Sequence, residues 1–368
     1  MAFNERDTLM ANITAIDIAF RVRKENRTAT PLEKKQMKEY KGFGGCRSIL
    51  LDPDNPKQWN KSREKNREAV KLLHETILSH APEQKEEIMR KLQASTATAF
   101  YTPENFIKAL GKSIHKALGR LPEKMLEPSA GNGRFLEVFN GIEGAEHIKK
   151  TAYEKDYLTG IILDAINDDT NVHIDGFETM PADENGTYDL AISNIPFGNI
   201  KVYDPSMSKS KNPARKQATT ALHNYFFIKG LDAVRNGGLV VFITSRGVAE
   251  SDGNKSIREY LVNHSNLVSG IRLPDNLFKE EGISEVGTDL LIFQRNDNKQ
   301  ELTEQEKLFV ETQDLQYTEV GRDEKENQID LSKTHARNLY FNEDVGKYYI
   351  WDVESLDKKH SLGLCTGN

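Results

Sequence analysis

Apolar positions recur at helical spacing through the first 96 residues, with Leu9, Ile13, Ile16 and Phe20 on one face and Val70, Leu72, Leu73, Ile77, Leu78, Ile88 and Leu92 further on. The stretch "TPLE" at 30–33 is a capping box with proline at the first helical position, whereas "KGFGG" at 41–45 is a glycine break and Pro82 an interruption. Residues 1–96 are therefore expected to form a helical N-terminal region. The pattern changes at "STATAFYTPENF" (95–106), where Thr102 and Pro103 open a helix whose apolar residues Phe106, Leu110, Ile114 and Leu118 step by four. Beyond it, short apolar runs alternate with helical ones: "KMLEPS" and a helix from Arg134, "KTAYEK" and a helix over Leu158–Ile166, then "NVHID" and "YDLAIS". A helix at "HNYFFIKGLDAV" leads to "LVVFITS", which starts after the Gly237–Gly238 break. A helix at "SIREYLVNH" precedes the last two strands, "LVSGIRLP" and "DLLIFQR", which have no helix between them.

Strands alternating with helices predict an α/β fold, a mainly parallel Rossmann-like sheet covered by helices on both faces, with an antiparallel hairpin at one edge. Residues 97–297 are expected to carry it. Residues 298–368 are polar and acidic with scattered aromatics (Tyr340, Phe341, Tyr348, Tyr349, Trp351), and read as a C-terminal extension or the start of a further domain.

Composition narrows the class. No uninterrupted apolar run approaches the roughly 20 residues a bilayer span needs, and no basic-then-apolar leader follows Met1, so a soluble cytoplasmic protein without a membrane partner is expected. The two cysteines, Cys46 and Cys365, fit neither a metal-ligand spacing nor a disulfide framework, and no metal is expected. A net charge of -6 argues against indiscriminate coating of nucleic acid, yet residues 201–216 carry five Lys/Arg against a single Asp. Taken alone, such a run is a solvated face.

Candidate chemistry gathers at strand ends. "LEPSAGNGRF" (126–135) runs a strand into a glycine loop, with Pro128, Ser129, Gly131 and Gly133 bringing backbone close to a ligand. A dinucleotide site would place a third glycine where Leu136 stands. S-adenosylmethionine has no pyrophosphate, and Glu127 beside the glycines suits its amino group. Glu154 in "AYEKD" ends the next strand, where a carboxylate accepts both ribose hydroxyls. Asp175 in "IDGF" follows the third strand, placed to accept from an adenine amino group while Phe177 packs near the ring. A single acid at a strand end is common; three in succession are harder to dismiss.

"NIPFG" (194–198) ends the fourth strand. Together with "FYTP", "EPSAGNG", "AYEKD" and "IDGF", in this order, it resembles the amino-group DNA methyltransferases that modify the exocyclic nitrogen of adenine. The stretches "KGFGG", "NIPFGNIKVYDP" and "RLPDNLF" are most similar to the methylase part of the large methylase-helicase proteins of phages and conjugative elements. The resemblance implies S-adenosyl-L-methionine as cofactor and DNA as partner, with Phe100, Tyr101 and Thr102 closing over the methionine end. It implies that the Asn194 side-chain oxygen and the Ile195 backbone carbonyl grip the two amino hydrogens, with Pro196 shaping the turn. Phe197 would stack on a base flipped from the duplex. Where this chain has Ile195, the family usually has proline. Placed directly after this loop, Lys201, Lys209, Lys211, Arg215 and Lys216 become candidate phosphate contacts. His223 and Asn224 open the next helix and read as capping residues.

Neither cysteine follows a proline, so cytosine-ring methylation lacks its nucleophile. No Walker A sequence occurs, so a helicase module or a recognition domain would lie outside this chain, which then reads as a fragment or a truncated relative. Two alternatives stay open: methyl transfer to RNA or to a protein glutamine amide, and a non-catalytic DNA-binding or anti-restriction module that retains the fold.

Overall fold

The stripe Leu9, Ile13, Ile16 and Phe20 is buried along α1 (Glu5–Lys24), which Asn4 caps. The structure, a computed structural model, describes residues 3–96, 101–196, 198–274, 277–278, 287–322 and 328–341. Phe100, Phe197, Cys365, Tyr348, Tyr349 and Trp351 lie outside the described residues. Seven strands form a mostly parallel sheet in the order β3 (Thr170–His173), β2 (Lys149–Tyr153), β1 (Lys124–Glu127), β4 (Tyr188–Asn194), β5 (Val234–Ser245), β7 (Thr288–Arg295) and β6 (Ser265–Leu273), and β8 (Thr312–Arg322) and β9 (Gln328–Asn338) form a separate antiparallel pair. The chain divides into two compact units, residues 1–180 with 278–284 and residues 181–277 with 285–368. This division runs through the span 97–297 and joins the helical N-terminal region to the strands that follow it.

In the first unit, α2 (Pro31–Met37) carries the full capping box, with Thr30 and Glu33 each accepting from the other's backbone. Helices α3 (Arg67–His80) and α4 (Lys85–Ser95) follow, separated by the turn at Pro82. Next comes α5 (Glu104–Leu118), which starts after Pro103 and stops at Gly119 in the left-handed region, φ 67°. Its buried stripe is Ile107, Leu110, Gly111 and Ile114, one position round from the one the spacing predicts at Phe106. Strands β1 (Lys124–Glu127), β2 (Lys149–Tyr153) and β3 (Thr170–His173) pair in parallel, with α6 (Tyr157–Ile166) crossing between the last two. One core joins α1, α3 and Ile49 to Leu158, Ile161 and Ile162 of α6, so the N-terminal helices form a layer over a helix of the sheet. Each such side chain contributes about 1.5–3 kcal/mol of burial.

The helix expected from Arg134 is absent. A single 3₁₀ turn, Arg134–Glu137, gives way to turns through Gly141 (φ 85°) and Gly144 (φ 86°), conformations that glycine adopts freely and that interrupt an α-helix.

The second unit contains β4 (Tyr188–Asn194), the short helices α7 (Pro205–Ser208) and α8 (Pro213–Ala218), α9 (Leu222–Ala233) and β5 (Val234–Ser245). After α10 (Gly247–Glu250) and α11 (Lys255–His264) come β6 (Ser265–Leu273) and β7 (Thr288–Arg295). Strand β5 runs parallel to β4, whereas β7 is antiparallel to both β5 and β6, which makes the expected antiparallel edge. Instead of starting after the glycines, β5 begins at Val234. The register slips between Tyr188 and Leu190, and a Cβ at Gly238 would meet the Tyr188 carbonyl oxygen at 3.0 Å, so the glycine pair allows a bulge inside the strand.

Helix α12 (Glu304–Val310) and the pair β8 (Thr312–Arg322) and β9 (Gln328–Asn338) complete this unit. Edge-to-face rings run from Phe242 through Phe227, Phe293 and Phe309 to Tyr340, with centroids 5.4–6.0 Å apart. The stretch after 298, which shows no clear core in its sequence, thus adds Phe309, Tyr340 and Phe341 to the core of this unit.

A Cβ at Gly111 would lie 1.9 Å from the Val138 carbonyl oxygen. Gly111→Ala must push α5 off that turn, at a cost of about 1–3 kcal/mol. The thermal unfolding midpoint should drop by several degrees, and an unchanged midpoint would show that α5 does not rest there.

Candidate active site

Glu154 follows β2, half-buried, with one carboxylate oxygen accepting from the Gly131 N–H and the other from the Asp156 N–H, both at 2.7 Å. It therefore ties the glycine loop after β1 to the start of α6, where the Asp156 side chain caps Thr159. Gly131 (φ 55°) and Gly133 (φ 80°) both need glycine's freedom, but for unlike neighbours. A Cβ at Gly133 would meet Leu163 of α6 at 2.7 Å, and one at Gly131 would meet the Tyr101 ring at 2.5 Å. The space over Gly131 is thus taken by an aromatic ring of the protein itself.

Glu127 ends β1 buried, and its Oε2 has no partner among the described residues. Burial pushes its carboxyl well up, and repulsion from Glu154 adds to this. Thr102 is buried, its Oγ1 has no partner among the described residues, and its carbonyl accepts from Arg134 at 3.0 Å. Pro128 is buried and Ser129 half-buried. Asp175 is exposed and accepts from the Gly176 N–H, whereas Phe177 is buried beside Tyr153 with centroids 6.0 Å apart. Contacts therefore link Tyr101 to Gly131 and Gly131 to Glu154, Arg134 ties Thr102 to the Tyr101 ring, and Glu127 feels the Glu154 charge, whereas Gly133 packs on α6 and Asp175 bonds its own neighbour.

In the second unit Asn194 is the last residue of β4 and half-buried. The ladder continues one residue past it, because the Ile195 N–H donates to the Ile243 carbonyl at 3.0 Å. Proline has no N–H for this bond, so the departure from the family pattern adds a strand contact at that point. Ile195 is buried and Pro196 half-buried.

Gly198 (φ 137°) closes the loop. Its carbonyl accepts from the Leu222 N–H at 3.0 Å, and its N–H donates to His223 Nδ1 at 3.4 Å. His223 and Asn224 are therefore not caps. The cap position is Ala221, with no side-chain bond. Asn224 instead bonds Asn254 at 2.7 Å. Burial holds the His223 imidazole below the usual histidine range, which keeps Nδ1 available as an acceptor. Apolar surroundings in "HNYFFI" were the available signal for a buried histidine.

Lys201, Lys209, Lys211 and Lys216 are exposed. Arg215 is not part of that set: its guanidinium makes a two-pronged pair with Asp232 (2.8 and 2.6 Å) and bonds the Tyr260 hydroxyl, committing it to holding α8.

A family model for N-6 DNA methylases matches residues 77–348. The chain belongs to the N-6 DNA methylase family. It is similar to Defense against restriction protein B of Escherichia phage P1, 27% identical over 192 residues, which are 52% of this chain and 8% of that protein. It thus spans under a tenth of that relative's length. Among solved structures it is similar to a candidate class I S-adenosylmethionine-dependent methyltransferase from Listeria monocytogenes, with 14% identity, a TM-score of 0.49 and coverage of 81% of this chain and 91% of that one. A type I restriction-modification methyltransferase subunit from Streptococcus thermophilus gives 14% identity and a TM-score of 0.48, over 78% of this chain and 66% of that one. No helix among the described residues is long and apolar enough to cross a membrane.

Burial pushes the Glu154 carboxyl of this N-6 DNA methylase family member up to about 7, against the pull of the Asp156 N–H and, more weakly, that of Gly131. Unfolded, it would titrate near 4.5. Between those values the folded state holds more protons, so this group's contribution to stability falls as pH rises through the window. Glu154→Gln should therefore show a smaller drop in thermal midpoint from pH 5 to pH 7.5 than the wild type; parallel curves would refute the raised carboxyl.

Proposed function

We propose that this chain transfers a methyl group from S-adenosylmethionine to the exocyclic N6 amino group of adenine in DNA, with the target base flipped out of the duplex. The observation that carries the reading is that one family model runs across both the glycine loop with Glu127 and Glu154 and the Asn194–Ile195–Pro196 segment. The residues fit the cofactor. Three buried side-chain oxygens at its loop, Glu127 Oε2, Thr102 Oγ1 and Asn132 Oδ1, have no partner among the described residues, and an amino acid joined to a ribose brings the missing donors and acceptors.

When bound, S-adenosylmethionine supplies an electrophilic methyl on a sulfonium. Glu127 would hold its amino group and Glu154 its ribose hydroxyls, each carboxylate oxygen of Glu154 keeping a lone pair beyond the backbone bond it already accepts. An adenine amino nitrogen is a poor nucleophile because its lone pair is delocalised into the ring. Asn194 and the Ile195 carbonyl, accepting its two hydrogens, favour a pyramidal nitrogen with the lone pair free to attack. The N–H bond from Ile195 to Ile243 fixes the peptide beside that carbonyl. After transfer the nitrogen is acidic and loses its proton to these acceptors or to water, so no strong base is needed. Phe197 would stack on the flipped base. Exposed Lys201, Lys209, Lys211 and Lys216 suit the phosphates on either side. A recognition or helicase module would be supplied from beyond this chain.

Incubation with labelled S-adenosylmethionine and DNA, RNA or protein should place label in DNA as N6-methyladenine. Label in RNA or on a glutamine amide would replace the reading, as would cofactor binding without transfer to any of the three. Asn194→Ala should reduce transfer by at least about 100-fold, a loss typical of removing one oriented polar group, while calorimetry finds cofactor binding within about twofold. Loss of binding and transfer together would contradict the assigned role.

Association with DNA should weaken with salt. Changing Lys201, Lys209, Lys211 and Lys216 to Gln should flatten the log–log salt slope by about 0.9 for every lysine that meets a phosphate. An identical slope in the variant would exclude the loop from the DNA contact.

A further inference from the structure

The helical N-terminal region reaches into the network around the glycine loop. Asn12, fully buried on α1, donates to the Gly42 carbonyl at 2.6 Å and accepts from the Lys41 N–H at 2.9 Å, so one side-chain amide grips this stretch of "KGFGG" at two points. Gly42 is left-handed (φ 65°), and a Cβ there would stand 2.8 Å from Tyr101 Cε2. Gly131 meets the other edge of the same ring, its Cβ position 2.5 Å from Cε1. The Tyr101 ring is thus clamped between two glycines, one from the N-terminal region and one from the loop after β1.

A second path closes the circuit. The Tyr40 carbonyl accepts from Asn132 of the glycine loop at 3.1 Å, and the Tyr40 hydroxyl shares a 3.0 Å bond with Thr159. Thr159 bonds Asp156, whose backbone N–H is held by Glu154, and Glu154 holds Gly131. Gly42, Tyr101, Gly131, Glu154, Asp156, Thr159 and Tyr40 therefore form a closed ring of contacts. An open glycine loop would lose backbone freedom on binding a ligand; one closed in this way has lost it on folding.

We propose that Asn12, Tyr40 and Gly42 are positioning residues for the cofactor loop, acting through Tyr101 and Asn132, so that the N-terminal region completes the cofactor site. The inference rests on the proposed S-adenosylmethionine site. Calorimetry on the full chain tests it with S-adenosylmethionine as the probe.

Wild type should bind. Gly42→Ala should raise Kd at least tenfold and raise the KM for cofactor, with little change in kcat at saturation. Gly42→Asn tolerates the left-handed backbone but still carries a Cβ, so it should behave likewise and separates ring contact from backbone strain. Tyr40→Phe, which loses only the hydroxyl bond and spares the fold, should raise Kd about threefold or more. If the ring is the intermediary, Gly42→Ala should have little further effect in a Tyr101→Ala background. Failure of the wild type to bind would remove the cofactor site itself and this role with it. Wild-type binding with Gly42→Ala and Tyr40→Phe both within twofold, or effects of Gly42→Ala and Tyr101→Ala that simply add, would overturn the positioning role alone.

Discussion

A carboxylate that bonds two backbone N–H groups from different segments is the constraint on which the first unit's site depends. Glu154 could have been an exposed acid at a strand end, as many are. Instead it spans from the Gly131 loop to the turn that starts α6, and its burial raises the cost of its charge. Such a group is stable only if its neighbours stay in place, since each backbone donor withdrawn leaves more of the charge unbalanced. The loop and the start of α6 are therefore held together by one half-buried carboxylate, and the N-terminal region joins them through Tyr40 and Gly42.

Much of this was legible in the sequence because it is written in local rules. The capping box at Thr30, the helix between Pro103 and Gly119, the parallel strands and the antiparallel edge all follow from spacing, proline and glycine. The acids at the ends of β1 and β2 were found because a carboxylate beside a glycine loop stands out. What could not be read was the partner of each glycine. Nothing in "GNG" says that the space above Gly131 belongs to the Tyr101 ring, or that "KGFGG" supplies the facing glycine from 89 residues away. Those are tertiary facts. The missing helix after Arg134 has the opposite origin: its apolar residues suggested a helix, but two left-handed glycines outweighed them.

Histidine and arginine misled for a related reason. Beside a helix start, His223 reads as a cap, and within a run of lysines Arg215 reads as a phosphate ligand. Both judgements used sequence neighbours, whereas the actual partners, Gly198 and Asp232, lie 25 and 17 residues away. Charge counts also overstate a patch when one member is neutralised by a half-buried carboxylate, as Arg215 is by Asp232.

Ile195 shows how the backbone can be restrained at a position where the family usually has proline. Proline stiffens a loop by fixing φ, and it does so at the expense of a backbone donor. Isoleucine has no such restriction, but its N–H carries the β4–β5 ladder one residue further, and its buried side chain anchors the same point in the core. One device restricts the backbone through a ring and the other through a strand bond of about 0.5–1.5 kcal/mol. With Gly198 held at both its carbonyl and its N–H by the start of α9, the loop is fixed at either end by hydrogen bonds. Rigidity at Asn194 can therefore come from the sheet, and a proline at position 195 is not its only source.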